Sequence, residues 1–283
     1  MIISASYRSD IPAFHGEWFL AALASGGVAV ANPYSQRSYR VDLRAEAVDG
    51  YVFWTRNARP FARALAAVAA QGKPFVVHYT ILGYPRAIDT NVIDPKLAID
   101  SARAIADAYG KRAVVWRYDP ILLTPVTETG WHRANFTRLA DALARITDEV
   151  VVSFAQLYAK SARNLAKAGI TWRVPELPEQ AALIADLRAI AAERAIALSL
   201  CTQPELAAAT HAPGARCIDA ARLADVAGRP IVAATKGNRP GCLCAESRDI
   251  GAYDSCVHGC RYCYAVADHE AVQRRRRAGL QPA

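Results

Sequence analysis

The alternation of short β-type runs with longer helical segments limits most strongly how this chain can fold. Runs rich in β-branched or aromatic residues predict strands at 2–6, 28–31, 51–55, 75–79, 113–117, 150–154, 197–200 and 216–218. Segments with apolar residues at helical spacing predict helices at 16–24, 60–70, 95–109, 131–146, 159–168, 179–194 and 204–209. Eight strands, mostly followed by helices, predict an α/β fold, a (β/α)8 TIM-type barrel or a variant of one.

An open, doubly wound parallel sheet is the alternative fold. Nucleotide-binding proteins with that fold carry a G-x-G-x-x-G pattern directly after a strand. We find no such pattern in this position. The barrel is therefore the favoured prediction.

Length and composition are those of a globular protein with a large core. The chain has 283 residues, 53% of them hydrophobic, and a mean hydropathy of +0.05. No apolar run approaches the roughly 20 residues that a membrane helix needs. The first residues lack the basic start and long apolar stretch of a signal peptide. We therefore expect a cytoplasmic protein with no membrane partner.

Five of the seven cysteines are concentrated near the C-terminal end of the chain. Cys256, Cys260 and Cys263 have the spacing C-x3-C-x2-C, with Tyr262 directly before the last cysteine. Thiolates are ligands for zinc and for iron–sulfur clusters. An odd number of cysteines in a cytoplasmic chain argues against a disulfide framework. Three ligands in one short loop would leave one coordination position free for chemistry.

This cysteine motif resembles that of the radical S-adenosylmethionine superfamily, in the version seen in spore photoproduct lyase and its relatives. The resemblance implies that Cys256, Cys260 and Cys263 hold a 4Fe-4S cluster, whose fourth iron binds S-adenosylmethionine. One-electron reduction, by a donor such as flavodoxin or ferredoxin, would then release a 5′-deoxyadenosyl radical. By the same analogy, Tyr262 would pack near the adenine. The position differs from the usual one, because 255 residues precede Cys256.

Over nearly its full length the chain resembles an uncharacterised bacterial family described as a domain of unknown function. The matching stretches are 6–14, 52–57, 116–120, 217–219 and the cysteine-rich tail. This second resemblance implies no established reaction.

Polar residues follow several predicted strands, where a βα barrel builds its active site. We predict that Arg8, Asp10, Arg56, Arg117 and Asp119 line the site, since guanidinium groups bind carboxylates and phosphates bidentately. From the same strand ends, Asn57 and Ser153 are predicted to contact the cofactor. The alternative for the charged residues is structural: ion pairs, with Asp10 capping the following turn.

Four cysteines remain outside the motif: Cys201, Cys217, Cys242 and Cys244. Four thiolates match a second iron–sulfur cluster or a closed zinc site. In the alternative, Cys201 and Cys217 are buried thiols and Cys242 or Cys244 supports the first cluster. A further alternative is a structural zinc site made by Cys242, Cys244 and two of the later cysteines.

The net charge of +8 is concentrated at one end. Arg274, Arg275, Arg276 and Arg277 contribute four of these charges. A terminal charge run is typical of a solvated tail, and such tails can attract nucleic acid. Together with this tail, the resemblance to spore photoproduct lyase implies a nucleic-acid-derived substrate. A small carboxylated or phosphorylated molecule is the other candidate.

The sequence predicts three regions: a βα barrel at 1–235, a cysteine-rich iron–sulfur loop at 236–268 that closes the barrel, and an Arg-rich tail at 269–283. It predicts a radical S-adenosylmethionine-type enzyme with one or two 4Fe-4S clusters. Two alternatives remain open. One is a barrel enzyme with a structural zinc or iron–sulfur site, and the other is a cluster-based redox or nucleic-acid-binding protein.

Overall fold

The computed structural model describes residues 1–33, 35 and 37–278. Its strands, in chain order, are β1 (Ile2–Ala5), β2 (Gly27–Ala31), β3 (Ser38–Asp42), β4 (Gly50–Thr55), β5 (Phe75–Thr80), β6 (Val114–Ile121), β7 (Glu149–Phe154), β8 (Ala197–Leu200) and β9 (Ser247–Asp249). Seven of them form one sheet, in the order β8-β7-β6-β5-β4-β1-β9. All neighbours in this sheet are parallel, while β2 and β3 form a separate antiparallel hairpin.

The α-helices of the described residues lie mainly between the strands. In chain order they are α1 (Ile11–Phe14), α2 (Gly16–Ala24), α3 (Ala62–Ala70), α4 (Pro95–Tyr109), α5 (Thr129–Leu143), α6 (Ala159–Lys167), α7 (Leu177–Ala192), α8 (Pro204–Thr210), α9 (Ala220–Ala227) and α10 (His269–Arg277). Helix α4 shows clear start and stop signals. The Asp94 side chain accepts a hydrogen bond from the Lys96 amide, and Gly110 follows the last turn with a φ of 85°.

The predicted (β/α)8 barrel is wrong, although the α/β class is confirmed. The sheet is open, with β8 and β9 at its two edges and no pairing between them in the described residues. The predicted strand at 28–31 corresponds to β2, which pairs with β3 outside the main sheet. The predicted strand at 216–218 is not a strand. Short β-type runs in a sequence indicate strands but do not indicate which strand pairs with which.

One face of the sheet is covered by α2, α3, α4, α5 and α7. Alternate strand residues point to this face, among them Phe53, Val77 and Trp116. Trp116 is fully buried and stacks on Phe136 of α5, with ring centroids 4.7 Å apart. This face forms the larger of the two hydrophobic cores.

The opposite face is covered by α9 and by the chain between β8 and β9. Val52, Val76, Val115 and Val151 point to this side and pack against Leu223 of α9 and its neighbours. Backbone hydrogen bonds also fix the covering segment: the Ala215 amide donates to the Leu200 carbonyl (2.8 Å), and the Ala245 amide donates to the Ile218 carbonyl (2.8 Å). Both faces are therefore buried, as is usual for a parallel sheet.

The arginine-rich end is helical where the structure describes it. Asp268 caps α10 by accepting hydrogen bonds from the backbone amides of Glu270 and Ala271, and Val272 packs inward. The four arginines of its last turn are exposed. The predicted solvated tail at 269–283 is thus a helix up to Arg277, and 279–283 lie outside the described residues. None of the described helices has the length and apolar character needed to cross a membrane.

Candidate functional site

The cysteine motif lies in a loop that runs alongside the segment following β5. The Asn91 amide donates to the His258 carbonyl (2.8 Å), and the Arg261 amide donates to the Ile88 carbonyl (3.0 Å). Between these contacts, Asp89 and Cys260 form an isolated antiparallel bridge. The loop after β5 therefore holds the cysteine loop in place along its length.

Gly259 allows this close approach. Its φ is +72°, and a Cβ at this position would lie 3.2 Å from the Cβ of Thr90. Residues with a side chain rarely adopt this backbone conformation. The glycine between His258 and Cys260 is therefore required by both the turn and the packing.

Arg56 connects the end of β4 to the cysteine loop. Its Nη1 donates to Cys260 Sγ (3.2 Å) and to Tyr262 Oη, and its Nη2 lies 2.6 Å from Asp89 Oδ2. Tyr262 Oη also donates to Asp89 Oδ1 (3.0 Å). All four side chains are buried. Burial lowers the pKa of Arg56, but Asp89, Tyr262 and Cys260 raise it by more, so the guanidinium stays charged.

Asp10 connects the first helix, β4 and the cysteine loop. Its Oδ1 accepts from Thr55 Oγ1 (2.7 Å) and from the Ala13 amide, and its Oδ2 accepts from the Arg56 amide (2.7 Å). His258 Nε2 lies 2.7 Å from Asp10 Oδ2. The predicted capping role of Asp10 is confirmed, and the same carboxylate fixes the histidine inside the cysteine motif.

The three motif thiols lie close enough to affect one another. Burial is the main cause that raises the pKa of Cys256, and Asp10 and the other two thiols raise it further. Burial also raises the pKa values of Cys260 and Cys263, while Arg56 opposes the shift at both. Burial therefore disfavours the thiolate form of these cysteines, and a bound cation would favour it.

The donor set at the motif suits a thiophilic metal, although the thiols are not pre-arranged around a common point. No group of three or more His, Cys, Asp or Glu side chains in the described part of the chain is positioned to hold a metal ion. Two polar atoms beside the thiols, Arg56 Nε and His258 Nδ1, are buried without a hydrogen-bond partner. Buried thiols, a buried guanidinium and unpaired nitrogen donors together fit an iron–sulfur group with an anionic ligand shell.

Arg8 lies apart from this network, near the neighbouring strand end. Its Nε is 3.7 Å from Asp249 Oδ1, and its guanidinium lies over the rings of Tyr7 and Tyr253. Asp249 also accepts a hydrogen bond from Ser4 Oγ (2.7 Å). The Arg8–Asp249 pair therefore holds β9 against β1.

Arg117, Asp119 and Ser153 form a second polar network, on the face covered by α9. Arg117 Nη2 pairs with Asp119, and Ser153 Oγ donates to the same carboxylate. Arg117 Nη1 donates to Cys217 Sγ (3.0 Å), which lies 3.7 Å from Cys201 Sγ. The predicted site residues thus divide between two networks and the separate Arg8–Asp249 pair, rather than forming a single ring.

Two predicted cofactor contacts have local partners. Asn57 Oδ1 accepts from the Arg59 amide (3.1 Å), so this side chain caps the turn before α3. The Tyr262 hydroxyl is engaged by Arg56 and Asp89, and its ring lies edge-on to Tyr84, with centroids 5.9 Å apart. Each side chain therefore has a structural contact whether or not a cofactor is bound.

Three residues of these networks were not among the predicted site residues: Asp89, Asp249 and His258. Asp89 lies in the segment after β5, and Asp249 ends a strand whose sequence, Ser-Arg-Asp, lacks the apolar alternation of a strand. Only His258, inside the cysteine motif, had a signal in the sequence. The other two are recognisable only once the fold brings them to Arg56 and Arg8.

Comparison with known proteins identifies a family but no characterised relative. No curated protein and no solved structure matches the chain. A family model described as "Domain of unknown function (DUF1848)" matches residues 2–265, which include both networks and all seven cysteines. The chain belongs to the DUF1848 family.

Proposed function

We propose that this protein is a cytoplasmic iron–sulfur enzyme of the radical S-adenosylmethionine type. Cys256, Cys260 and Cys263 would hold a 4Fe-4S cluster. The observation that carries the proposal is the position of the cysteine loop, in which Cys260 contacts a buried Arg56–Asp89 pair beyond the carboxyl ends of β4 and β5. Open α/β sheets bind their ligands at that edge.

When bound, a three-cysteine cluster supplies an open iron position for S-adenosylmethionine and the electron for its reductive cleavage. The chain's own residues would prepare this site. Arg56 donates to Cys260 Sγ, and such hydrogen bonds to cysteine sulfur tune the reduction potential of a cluster. Asp89 and Tyr262 fix the guanidinium, and Asp10 fixes His258 within the loop.

A cavity of about 210 Å³ lies beside this site. Its lining includes Arg56, Asp89, Tyr84 and Arg86, with apolar residues from the segment after β5. Arg56 and Arg86 favour a carboxylate or phosphate on the bound molecule, and Asp89 and Asp94 in the same lining offset part of their charge. We therefore propose a small anionic substrate, free or nucleic-acid-derived, and a protein electron donor such as flavodoxin or ferredoxin.

The test is anaerobic reconstitution with iron and sulfide, followed by reduction and addition of S-adenosylmethionine. The measured product is 5′-deoxyadenosine. We expect product from the wild type and none from Cys260→Ala, with Arg173→Ala as a matched surface control that keeps full activity. Arg173 pairs with Glu128 and Glu179 on the exposed side of the fold.

Two kinds of failure in the cleavage reaction would each favour a different alternative function. A bound cluster that never cleaves the cofactor, with several reductants, would contradict the enzyme and favour a redox sensor. Zinc in place of iron would favour the alternative of a non-radical enzyme with a structural metal.

The exposed arginines of α10 support a nucleic-acid contact as part of the same proposal. Arg275 Nη2 donates to the Asp254 carbonyl (2.9 Å), which places this helix against the start of the cysteine loop. If these charges bind phosphates, affinity for a short DNA or RNA duplex will fall steeply with salt. Replacing Arg274, Arg276 and Arg277 by Gln should flatten the slope, and an unchanged slope would exclude this surface.

A further inference from the structure

We propose that Cys201, Cys217, Cys242 and Cys244 bind one Zn²⁺ ion in a closed site on the sheet face covered by α9. The site is separate from the cysteine motif and does not depend on the proposed radical chemistry. Its ligands come from three parts of the chain: the end of β8, the segment at 213–218, and the Cys-Leu-Cys stretch before β9.

Two of the four thiols are in contact, and a third belongs to the same buried cluster. Cys201 Sγ lies 3.7 Å from Cys217 Sγ, and Cys217 and Cys244 both lie in the core of this face. The Ile218 amide donates to Cys244 Sγ (3.4 Å). A bound ion would draw this chain of thiols to a common centre.

Cys242 is the natural fourth ligand because of its spacing. In an extended chain, residues two apart point to the same side. Cys242 and Cys244 both pack against the core of this face, whereas Leu243 between them is exposed. A Cβ at Gly237 would lie 2.6 Å from the Cβ of Cys242, so the glycine lets the two backbones approach.

The sulfur–sulfur distance favours a single ion over the alternatives. A tetrahedral zinc site with Zn–S bonds of about 2.3 Å places its sulfurs roughly 3.8 Å apart. A disulfide would need about 2.05 Å, and all seven cysteines are free thiols. In a 4Fe-4S cluster each cysteine binds a different iron, which separates the sulfurs further.

The charges around the thiols match a four-thiolate zinc site. Zn²⁺ with four thiolates carries two negative charges. Arg117 Nη1 donates to Cys217 Sγ (3.0 Å), and Arg239 Nη2 lies 3.8 Å from Cys201 Sγ. Two guanidinium groups therefore contact the thiols, and Asp119, which pairs with Arg117, offsets one of their charges. Hydrogen bonds to ligand sulfur are the usual outer-shell support of such a centre.

The first experiment counts metals in the full-length protein after incubation with Zn²⁺ and removal of excess ion. We expect about one zinc per chain in the wild type and in Cys260→Ser, and loss of the zinc in Cys217→Ser. Iron, measured in the same samples after reconstitution, should be lost in Cys260→Ser and retained in Cys217→Ser. The two cysteine groups thus serve as matched controls for each other.

Cobalt substitution keeps the test decisive if Cys217→Ser fails to fold. With Co²⁺, the wild type and Cys260→Ser should show a thiolate-to-metal charge-transfer band and the intense d–d bands of a tetrahedral site. Absence of zinc and of these bands would overturn the proposal. So would zinc that depends on Cys260, or an iron content near eight per chain that halves in Cys217→Ser.

Discussion

The two cysteine groups of this protein use the same device in different settings. In each, a buried arginine at a strand end donates to one cysteine sulfur and pairs with an aspartate: Arg56 with Cys260 and Asp89, and Arg117 with Cys217 and Asp119. Cys256, Cys260 and Cys263 share one loop. The other four cysteines are spread over more than forty residues and meet only in the folded chain.

This difference bears on what each group can do. The loop group has three thiols beside a cavity and buried nitrogen atoms without partners, an arrangement suited to a centre with an open position. The dispersed group has four thiols that pack together where the covering segment meets the sheet, which suits a closed site. We therefore expect the loop group to be reactive and the dispersed group to be structural.

The largest effect on stability is expected at Arg56. Replacing it by Met leaves Asp89, which is 3% exposed, without its main partner. Breaking a buried ion pair typically costs about 3–5 kcal/mol. Chemical denaturation of the metal-free, reduced protein should show a loss of this size, and Arg56→Met/Asp89→Leu should recover most of it. A loss below about 1 kcal/mol would show that the pair is not buried as described.

A buried histidine outside both cysteine groups makes stability sensitive to acid pH. Burial lowers the pKa of His132 to about 4, from an ordinary value of 6.5. The unfolded chain takes up this proton below pH 6.5, whereas the folded protein does so only near pH 4. The free energy of unfolding therefore falls as the pH decreases from 6.5 to 4. This residue alone lowers it by about 3 kcal/mol.

The matched variant for this pH effect is His132→Gln. His132 Nε2 donates to the Leu122 carbonyl, and a glutamine amide can replace that hydrogen bond. Unfolding curves between pH 7 and pH 4 should have a shallower pH dependence in the variant. An identical pH dependence would assign the acid sensitivity to other groups.

Arg117→Met should cost less than Arg56→Met, which sharpens the contrast between the two networks. Asp119 keeps its hydrogen bond from Ser153 and its side chain is 17% exposed, so it is only partly deprived of partners. We expect a loss of about 1.5–3 kcal/mol in the metal-free protein. Equal losses of stability in Arg117→Met and Arg56→Met would contradict this difference between the two networks.

The smallest of these effects is expected for Gly259→Ala. A φ of +72° and a Cβ contact of 3.2 Å with Thr90 together should cost about 1–2 kcal/mol. The cysteine loop should shift. The variant should therefore lose much of its iron after reconstitution, although its loss of stability is small. Gly72→Ala, at a φ of +68° with open space around it, is the matched control for the backbone strain alone.

Local features of the fold were predictable, and long-range ones were not. The helices at 16–24 and 95–109 match α2 and α4 in full, because the apolar spacing lies within each segment and, for α4, Asp94 and Gly110 cap its two ends. The open sheet could not be predicted from such local patterns. Whether β8 meets β1, or β9 takes that place, depends on pairing across the chain.

The candidate site follows the same rule. Cys256, Cys260 and Cys263 were recognisable because their spacing is local, and Arg56 and Asp10 because polar residues at strand ends stand out. Asp89 had no local signal, since its role depends on a bridge to Cys260 across the fold. The division of the polar residues between two faces required the alternation of β6, which turns Trp116 to one core and Arg117 to the other side.

The most direct test of the account is the iron and sulfide content of the anaerobically reconstituted protein, measured with its electronic spectrum. We expect about four iron and four sulfide per chain in the wild type, and their loss in Cys256→Ser, Cys260→Ser and Cys263→Ser alike. Wild-type protein that binds no iron, or that binds zinc through these three cysteines, would contradict it.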